Sequence, residues 1–427
     1  MHILFLSDNF PPEVNAPASR TFEHCREWVA AGHKVTVITC VPNFPKGIVF
    51  EGFRNRLWQK HQIAGITVIR VWSYIAKNEG FAKRILDYVS YMFTAFWASL
   101  FVRRVDVIVG TSPQFFTACA AYAASVIKRR PWVFELRDIW PESIRAVGAA
   151  KDSALLDWLE KLELFLYRRA DAVVSVTHAF KQNLVARGIN GAKIAVVTNG
   201  VDTTRFQPAA KDLALETELG LSGMFVAGYI GTHGMAHGLD TLIDAAIRLA
   251  QQDDMAHVRL LCIGDGAERS KLIERSAALG LNNILFVGSV SKDEVVRYWS
   301  VLDAAIVHLR DSPLFSTVIP SKIFECMGMG LPVLHGVRGE SADIVVGQEI
   351  GVFFEPENVD DFLCKLRALV IDNHGRHAMA RKGPIAARLF DRRTLAATML
   401  DHLTVVAAGQ PLTLTCEQRD DGNIGQG

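Results

Sequence analysis

The sequence offers little that would support redox chemistry or a bound metal. Its seven cysteines, at positions 25, 40, 119, 262, 326, 364 and 416, stand singly, and neither a C-x-x-C pair nor a cluster of histidine and cysteine has metal-ligand spacing. We therefore interpret them as buried, reduced thiols. We predict no metal site and no cofactor.

The amino terminus lacks the signs of a secretory leader. Met1 leads directly into the strand-like run HILFLS, without a basic segment or a cleavage site. The turn that follows, DNFPPEVNAPASR, also lacks the G-x-G-x-x-G fingerprint that a dinucleotide-binding fold has at this place. We expect a cytoplasmic protein and disfavour an NAD-dependent enzyme.

What the chain does have is a regular alternation of short apolar runs and amphipathic helices, typical of parallel sheets covered on both faces. A chain of 427 residues, 50% hydrophobic and 21% charged, is too long for one ordinary core. The pattern predicts an α/β fold of two doubly wound, Rossmann-like domains facing across a cleft. The predicted boundaries are 1–202 for the first domain, 203–222 for a linker, 223–385 for the second domain, 386–410 for helices returning to the first, and 411–427 for a disordered tail.

Charge is divided unevenly between the two halves. Residues 1–200 contain 25 Lys and Arg against 16 Asp and Glu, a net charge of +9, and the remainder has 21 against 29, a net charge of −8. The first half therefore favours an anionic partner.

The stretch Asp303–His335 has the pattern of a strand, a loop, a helix and another strand. Ser321 is the predicted N-cap of the helix, and Gly330 is its predicted end. Free N–H groups at such a helix start favour a phosphate, and Lys322 adds a positive charge there. Glu325 follows on the same helix face, where its carboxylate could accept sugar hydroxyls. The alternative is that Lys322 and Glu325 form an exposed ion pair on a surface helix.

Five motifs follow one another in a recognisable order. They are VVTNGVDTTRFQP at 196–208, YIGTHG at 229–234, CIGDG at 262–266, FVGSVSKDEV at 286–295 and PSKIFECMGMGLPVL at 320–334. Together they resemble the two-domain (GT-B) glycosyltransferases of family 4, and most of the chain fits that pattern. ELRDIWPES at 135–143 and the early PPEV are similar to the WbuB-type branch, which builds bacterial surface polysaccharides.

The resemblance implies transfer of a sugar from a nucleotide-diphosphate donor with retention at the anomeric carbon. A UDP-sugar is the expected donor, with an N-acetylamino sugar as one candidate. The implied acceptor is a lipid-linked saccharide in O-antigen, capsule or exopolysaccharide synthesis, bound by the first domain while the second binds the donor. No nucleic acid partner is expected. A metal-independent reaction is implied, and the sequence has no Asp-x-Asp triplet, the usual metal bridge to a diphosphate.

The resemblance also assigns roles to residues. Donor-binding residues would be Gly231, Thr232, Gly234, Gly264, Asp265, Ser321, Lys322 and Glu325, and acceptor-binding residues would be Asn15, Arg137 and Asp138. The candidate catalytic residues are Lys322, Glu325 and Asp138, with helix starts at Gly231–Gly234 and Ser321 facing the diphosphate. Asp138 would orient or deprotonate the acceptor, unless it only caps a turn. Arg137 would bind an acceptor phosphate, unless it pairs with Glu135 or Asp138.

Three places depart from the family pattern. Thr317 stands where the E-x7-E motif that ends at Glu325 has its first Glu. Thr232 and His237 stand where relatives have an Arg and a Lys that clamp the diphosphate, and Asn15 lies where many relatives have paired glycines. Two other functions therefore stay open, a sugar-nucleotide epimerase and a non-catalytic UDP-binding scaffold.

The run ILDYVSYMFTAFWASLFV at 85–102 is long and apolar, with Asp87 as its only charged residue. Because it leads directly into the strand-like VDVIVG, we predict an amphipathic helix rather than a membrane span. Large apolar residues fill one arc of that helix, and Asp87, Ser90, Thr94 and Ala98 line the other. If the small side packs on the sheet, the large arc and the basic, aromatic segment 48–62 would face the inner surface of the cytoplasmic membrane. The alternative orientation buries the large arc in the core.

Overall fold

The computed structural model describes residues 1–44, 47–75, 81–140, 154–291 and 293–412. The chain forms two compact units, one from Met1–Thr198 together with the chain from Arg392 onward, and one from Asn199–Asp391. Residues 203–222, predicted as a linker, lie in the second unit, because Leu215 and Leu221 are part of its core. Apart from residues 411 and 412, the predicted tail lies outside the described residues.

The first unit is built on one sheet. Its elements are β1 His2–Leu6, α1 Ala16–Ala30, β2 Lys34–Cys40, β3 Trp58–Ile63, β4 Ile66–Val71, α2 Phe81–Phe101, β5 Val107–Thr111, α3 Phe115–Lys128, β6 Trp132–Leu136, α4 Ala154–Arg169, β7 Ala172–Ser175, α5 His178–Ala186 and β8 Ile194–Val196. The strand order is β3-β4-β2-β1-β5-β6-β7-β8. The order reverses between β1 and β5, where ligands of such sheets bind at the carboxyl ends of the strands.

The second unit has its own sheet. Its elements are α6 Leu213–Glu218, β9 Phe225–Ile230, α7 Asp240–Leu249, β10 Val258–Ile263, α8 Arg269–Ala278, β11 Ile284–Val287, α9 Val295–Ser300, β12 Ala304–His308, α10 Lys322–Met329, β13 Val333–Gly336, α11 Glu340–Gly347, β14 Gly351–Phe353, α12 Val359–Ile371 and α13 Asn373–Ala387. The strand order is β11-β10-β9-β12-β13-β14, all in parallel pairs. The predicted parallel α/β architecture is confirmed.

The chain then returns to the first unit as α14, Arg392–Ala407. Met399 and Leu403 of this helix are buried in the core of that unit. The indole N–H of Trp28, in α1, donates a 2.8 Å hydrogen bond to the carbonyl of Ala396 in α14. The first unit is therefore completed by residues from the far end of the chain.

Strand β3 is the main element that the sequence pattern did not predict. It pairs antiparallel with β4 at the edge of the sheet, through a turn in which Ala64 and Gly65 have φ of 50° and 79°. Its sequence WQKHQI is polar, because an edge strand is only partly covered and charged residues there discourage pairing with other chains. Part of the segment 48–62 is thus a strand of the sheet.

Helix α2 packs on the first unit through the face that carries Tyr91, Ala95, Ala98 and Ser99; of the residues predicted for the packed side, Ala98 is buried, whereas Asp87, Ser90 and Thr94 are half-buried. Tyr91, Ala95 and Ser99 are fully buried, and the Tyr91 hydroxyl donates a 2.9 Å hydrogen bond to the carbonyl of Ile38 in β2. On the opposite face Phe93 and Trp97 are 56% and 60% exposed. Within the described ranges, no helix is both long enough and apolar enough to cross a membrane.

Candidate active site

The candidate site of the second unit lies where its strand order reverses. Strand β9 has β10 on one side and β12 on the other, so loops that follow these strands leave the same edge of the sheet. The loop after β9 carries the sequence GTHG, the loop after β10 carries GDG, and the chain after β12 leads to α10. The predicted donor-binding residues are all on these three segments.

Two of the loops touch each other through their backbones. The N–H of His233 donates to the carbonyl of Asp265 at 2.9 Å. Gly264 and Gly266 have φ of 141° and 157°, and an added Cβ would lie 1.9 Å from the Gly231 carbonyl oxygen and 2.4 Å from the His233 carbonyl oxygen. Larger residues therefore do not fit at Gly264 and Gly266, and the loops keep backbone close to whatever binds at this edge.

The ammonium of Lys322 lies beneath these loops, so the alternative of an exposed ion pair with Glu325 on a surface helix is wrong. Lys322 Nζ is 3.7 Å from the centre of the Tyr229 ring, and a Cβ on Gly231 would lie 2.4 Å from that Nζ. The ammonium is buried without a hydrogen-bond partner. Burial lowers the pKa of Lys322 to about 7, although Cys326 and Glu325 act in the opposite direction.

Two histidines surround the same Tyr229 ring, and the sequence analysis missed the role of His233. Their rings lie 5.9 Å (His233) and 6.1 Å (His237) from it, centre to centre. Both ring nitrogens of His233 and Nδ1 of His237 are buried without a hydrogen-bond partner. Burial, with Arg269 and Lys322 nearby, lowers the pKa of His233 to about 4, and burial with Lys322 lowers that of His237 to about 3.

Buried polar groups without partners are costly, so a cluster of them marks a candidate binding site. Here the unpartnered atoms are Lys322 Nζ, both ring nitrogens of His233, Nδ1 of His237, and Nε of Arg269, which belongs to α8. All of these groups can donate a hydrogen bond, Arg269 is positively charged, and Lys322 is positively charged when protonated. The cluster fits an anion with several acceptor oxygens.

Glu325 is held by a residue that the sequence analysis did not consider. The indole N–H of Trp299, in α9, donates to Glu325 Oε2 at 3.2 Å. Trp299 is fully buried, whereas Glu325 is half-buried. Thr317, in place of the first Glu of the motif, donates its hydroxyl to the carbonyl of Leu314 at 2.6 Å. One carboxylate is therefore fixed at this site, and the position of the other is taken by a hydroxyl bonded to backbone.

Several predicted details of the donor loops are wrong. Ser321 precedes α10 in helical backbone conformation and makes no side-chain cap, although Gly330 ends the helix in the left-handed region with φ of 67°. No α-helix starts at Gly231–Gly234, because Gly234 (φ −106°) begins only the short 3₁₀ turn Met235–His237.

Thr232 and Asp265, which were also predicted to bind the sugar donor, make contacts that involve the backbone of the loops. Thr232 is exposed, and its carbonyl accepts the Tyr229 hydroxyl at 2.8 Å. Asp265 is exposed and accepts the N–H of Gly266 on its own carboxylate at 2.8 Å. These contacts stabilise the loop conformations that place Lys322 and the histidines.

In the first unit, Arg137 and Asp138 follow β6, and both are anchored on Ser112 after β5. The Ser112 Oγ accepts the N–H of Arg137 at 2.7 Å and of Asp138 at 3.2 Å. Nε and one terminal nitrogen of Arg137 are buried without a hydrogen-bond partner, and burial lowers its pKa to about 10. Glu135 forms its hydrogen-bonded ion pair with Arg20 at 2.9 Å, so it does not satisfy these nitrogens of Arg137.

Asn15 has a structural role in the first loop, and its predicted contact with the acceptor stays a prediction. Its side-chain oxygen caps α1 by accepting the N–H of Ala18 at 2.9 Å, and its amide donates to Asn9 at 2.8 Å. In the same loop the Glu13 carboxylate accepts the N–H groups of Asn43 and Phe44, each at 2.9 Å. The first loop is thus fixed by its own polar side chains.

Comparison with known proteins adds independent findings. Residues 15–200 match the model of the glycosyl transferase 4-like domain, and residues 224–372 match glycosyl transferases group 1. WcaI of Escherichia coli K12, named as a colanic acid biosynthesis glycosyl transferase, is 25% identical over 410 residues, which cover 92% of this chain and 98% of WcaI.

Solved structures show the same fold at lower identity. Sucrose-phosphate synthase from Thermosynechococcus elongatus has a TM-score of 0.78 at 16% identity, covering 96% of this chain and 100% of the synthase chain. HepE from Anabaena, solved with UDP and glucose, has a TM-score of 0.71 at 19% identity, covering 94% of this chain and 99% of HepE. This chain belongs to the group 1 (family 4) glycosyltransferases and is a glycosyltransferase of GT-B fold.

Proposed function

We propose that the second unit binds a UDP-sugar and that the enzyme transfers the sugar, with retention, to a lipid-linked saccharide. The observation that carries the proposal is the cluster of buried, unpartnered polar atoms of Lys322, His233 and His237 around Tyr229, with Arg269 beside His233. A diphosphate supplies the acceptor oxygens and negative charge that this cluster lacks. UDP is proposed as the nucleotide because HepE, of the same fold, was solved with UDP.

The ribose would lie beside Glu325. This carboxylate comes from the first turn of α10, on the same helix as Lys322, and is close enough to influence its charge. A carboxylate accepts hydrogen bonds only, so it suits the hydroxyls of a ribose. The Trp299 indole keeps the carboxylate in one orientation before the donor arrives.

The same cluster would assist the bond-breaking step. As the bond from the anomeric carbon to the β-phosphate oxygen breaks, negative charge builds on the departing diphosphate. Lys322 and Arg269 stabilise that charge, and His233 can donate a hydrogen bond to it through its ring N–H. Because these groups are already buried and held by the folded loops, little reorganisation would be needed at the moment of reaction.

The acceptor would bind to the first unit near Asp138 and Arg137. The unpartnered nitrogens of Arg137 support binding of a phosphate oxygen, such as that of a lipid-linked acceptor. Asp138 is proposed to orient the accepting hydroxyl or to take its proton. A role in surface polysaccharide synthesis is proposed from the likeness to WcaI.

A lipid-linked acceptor would require the enzyme to sit on the inner face of the cytoplasmic membrane. The exposed face of α2 supports this, because Leu86, Phe93 and Trp97 are 51%, 56% and 60% exposed on one side of one helix. Isolated exposed apolar side chains are common on proteins, but a continuous stripe of large ones indicates an interaction surface. The net charge of +9 in residues 1–200 favours an anionic leaflet.

The test is a thermal-shift panel of UDP-, GDP- and dTDP-sugars on the wild type and on Lys322→Met, with Lys161→Met as an exposed control. We expect a UDP compound to raise the melting temperature of the wild type and of the control, but not of Lys322→Met. Hydrolysis or isomerisation of the donor without acceptor would instead indicate an epimerase-like activity. Equal stabilisation of all three proteins would contradict the proposed site.

A further inference from the structure

A pocket lies in the first unit, away from the loop that carries Asp138. Its volume is about 280 Å³. Its lining residues are His2, Lys34, Thr36, Trp58, Lys60, Thr67, Ile69, Phe101, Val102 and Arg103. His2 and Lys34 begin β1 and β2, and Arg103 precedes β5, so this part of the pocket is at the amino-terminal edge of the sheet, and Trp58 and Lys60 of the antiparallel strand β3 extend it along β4. Asp138 follows the carboxyl end of β6, at the opposite edge.

The polar part of the pocket is rich in positive charge. Lys34, Lys60 and Arg103 are exposed, and none of them forms an ion pair with a carboxylate in the described part of the chain. His2 is buried and is fixed through Nε2 to the Thr36 hydroxyl at 2.9 Å. The lining of the pocket therefore combines a buried, hydrogen-bonded His2 with three exposed cations that form no ion pair within the described residues.

The carboxylate of Asp106 lies near the pocket, where it could offset the positive charge of the lining residues. The Asp106 carboxylate accepts the backbone N–H of His2 at 2.7 Å and so stabilises the start of β1. It is not among the residues that line the pocket. The charge presented by the lining residues is thus positive.

The apolar part of the pocket continues into the exposed face of α2. Leu86, Phe93, Trp97 and Phe101 follow at spacings of seven, four and four residues, which places them in one stripe along the helix. All four are more than half exposed. The stripe ends at Phe101, whose ring meets that of Trp58 edge-on at 6.1 Å, and both rings line the pocket.

We propose that this pocket binds the phosphate-bearing headgroup of an anionic phospholipid, whose acyl chains lie along the apolar stripe of α2. The cations match a phosphodiester, and the aromatic pair matches the boundary between headgroup and hydrocarbon, where such rings are favoured. A soluble phosphate compound would leave the adjoining stripe uncovered. The proposal rests on the membrane docking proposed above and assigns it a specific lipid contact.

The first test is titration of the purified full chain with dihexanoyl-phosphatidylglycerol kept below its micelle concentration, followed by calorimetry. A pocket variant, Lys34→Gln with Lys60→Gln and Arg103→Gln, is compared with a control, Arg130→Gln with Lys161→Gln and Arg168→Gln. Both variants lose three exposed positive charges from the first unit. We expect the pocket variant to bind this lipid about tenfold or more weakly than the control does.

Three outcomes would overturn the proposal: no saturable binding to the wild type, equal loss in the two variants, or equally tight binding of glycerol phosphate or dihexanoyl-phosphatidylcholine. A folded pocket variant, shown by an unchanged melting temperature, is required for the comparison. The docking proposal has a separate readout, flotation with vesicles of phosphatidylcholine and phosphatidylglycerol. Failure of the wild type to float would end the docking proposal, while titration with monomeric lipid still decides the pocket.

Discussion

The indole N–H of Trp299 donates a 3.2 Å hydrogen bond to Glu325 Oε2. Trp299 belongs to the core of the second unit, and Glu325 belongs to the helix that also carries Lys322. A buried, rigid ring therefore sets the orientation of a half-buried carboxylate at the proposed donor site. Trp299 would be a positioning residue, since it acts on the donor only through Glu325.

The Trp299→Phe substitution tests this relationship. It keeps an aromatic ring in the core and removes the hydrogen bond to a charged group, which is worth roughly 1.5–3 kcal/mol. We expect UDP to bind about tenfold more weakly, and 2′,3′-dideoxy-UDP, which lacks the ribose hydroxyls, to bind equally to wild type and variant. A general defect in packing would weaken both ligands to the same extent, which would exclude the positioning role.

The buried charge of Lys322 predicts an effect on stability. The pKa of Lys322 is about 7 in the folded protein and 10.5 ordinarily. Between these two pH values the unfolded chain keeps a proton that the folded protein has lost. Burial of this charge therefore lowers the free energy of unfolding by its full amount below about pH 7, and by less as the pH rises towards 10.5. We expect ligand-free Lys322→Met to melt above the wild type at pH 6, with a smaller difference at pH 9. Lys161→Met serves as the control, and a variant that melts below the wild type at both pH values would be inconsistent with a buried, unpaired ammonium.

Donor binding should be accompanied by uptake of a proton. A diphosphate beside Lys322 favours its charged form and raises its pKa, so above about pH 7 the binding of UDP draws a proton onto the ammonium. Affinity should then fall as the pH rises from about 7.5 to 9, a range in which the nucleotide's own phosphate charge is constant. Calorimetry in two buffers of different ionisation enthalpy measures the uptake directly. Lys322→Met should show none, and equal uptake in the variant would assign the proton to another group.

Chelation should leave the transferase activity intact. The proposed stabilisation of the leaving diphosphate comes from Lys322, Arg269 and the histidines of the second unit. Activity is measured with and without EDTA, and then after addition of magnesium or manganese. Activity that is lost in EDTA and restored by either metal would contradict this mechanism.

The exposed face of α2 should be required for membrane binding. Replacing Leu86, Phe93 and Trp97 by Ser removes exposed apolar area without touching the buried face of the helix. We expect this variant to lose flotation with anionic liposomes at low salt. The control replaces Val126, Ile127 and Val185 by Ser, which are exposed apolar residues elsewhere in the first unit. If both folded variants float like the wild type, α2 does not dock on lipid.

Much of the fold was readable from the sequence, because buried parallel strands are continuous apolar runs. β2 at Lys34–Cys40, β6 at Trp132–Leu136 and β10 at Val258–Ile263 each coincide with such a run. β3 was missed because an edge strand needs no such run, and its pattern WQKHQI is set by exposure. Local pattern therefore predicts central strands well and edge strands poorly.

The site was only partly predictable for a different reason. Local motifs located Lys322 and Glu325 on one helix, but not that the ammonium of Lys322 lies on the Tyr229 ring. That contact, like those of Trp299 and His233, joins residues far apart in the sequence. The N-cap expected of Ser321 failed because its backbone is already helical, which a residue type alone does not reveal.

A structure of the protein crystallised with UDP would test the central claim most directly. We predict that Lys322 Nζ and a ring nitrogen of His233 come within about 2.7–3.2 Å of diphosphate oxygens. Glu325 should then accept hydrogen bonds from the ribose hydroxyls while keeping its bond to Trp299. UDP bound elsewhere, or bound with Lys322 still confined to the Tyr229 ring and no phosphate oxygen near it, would contradict the account.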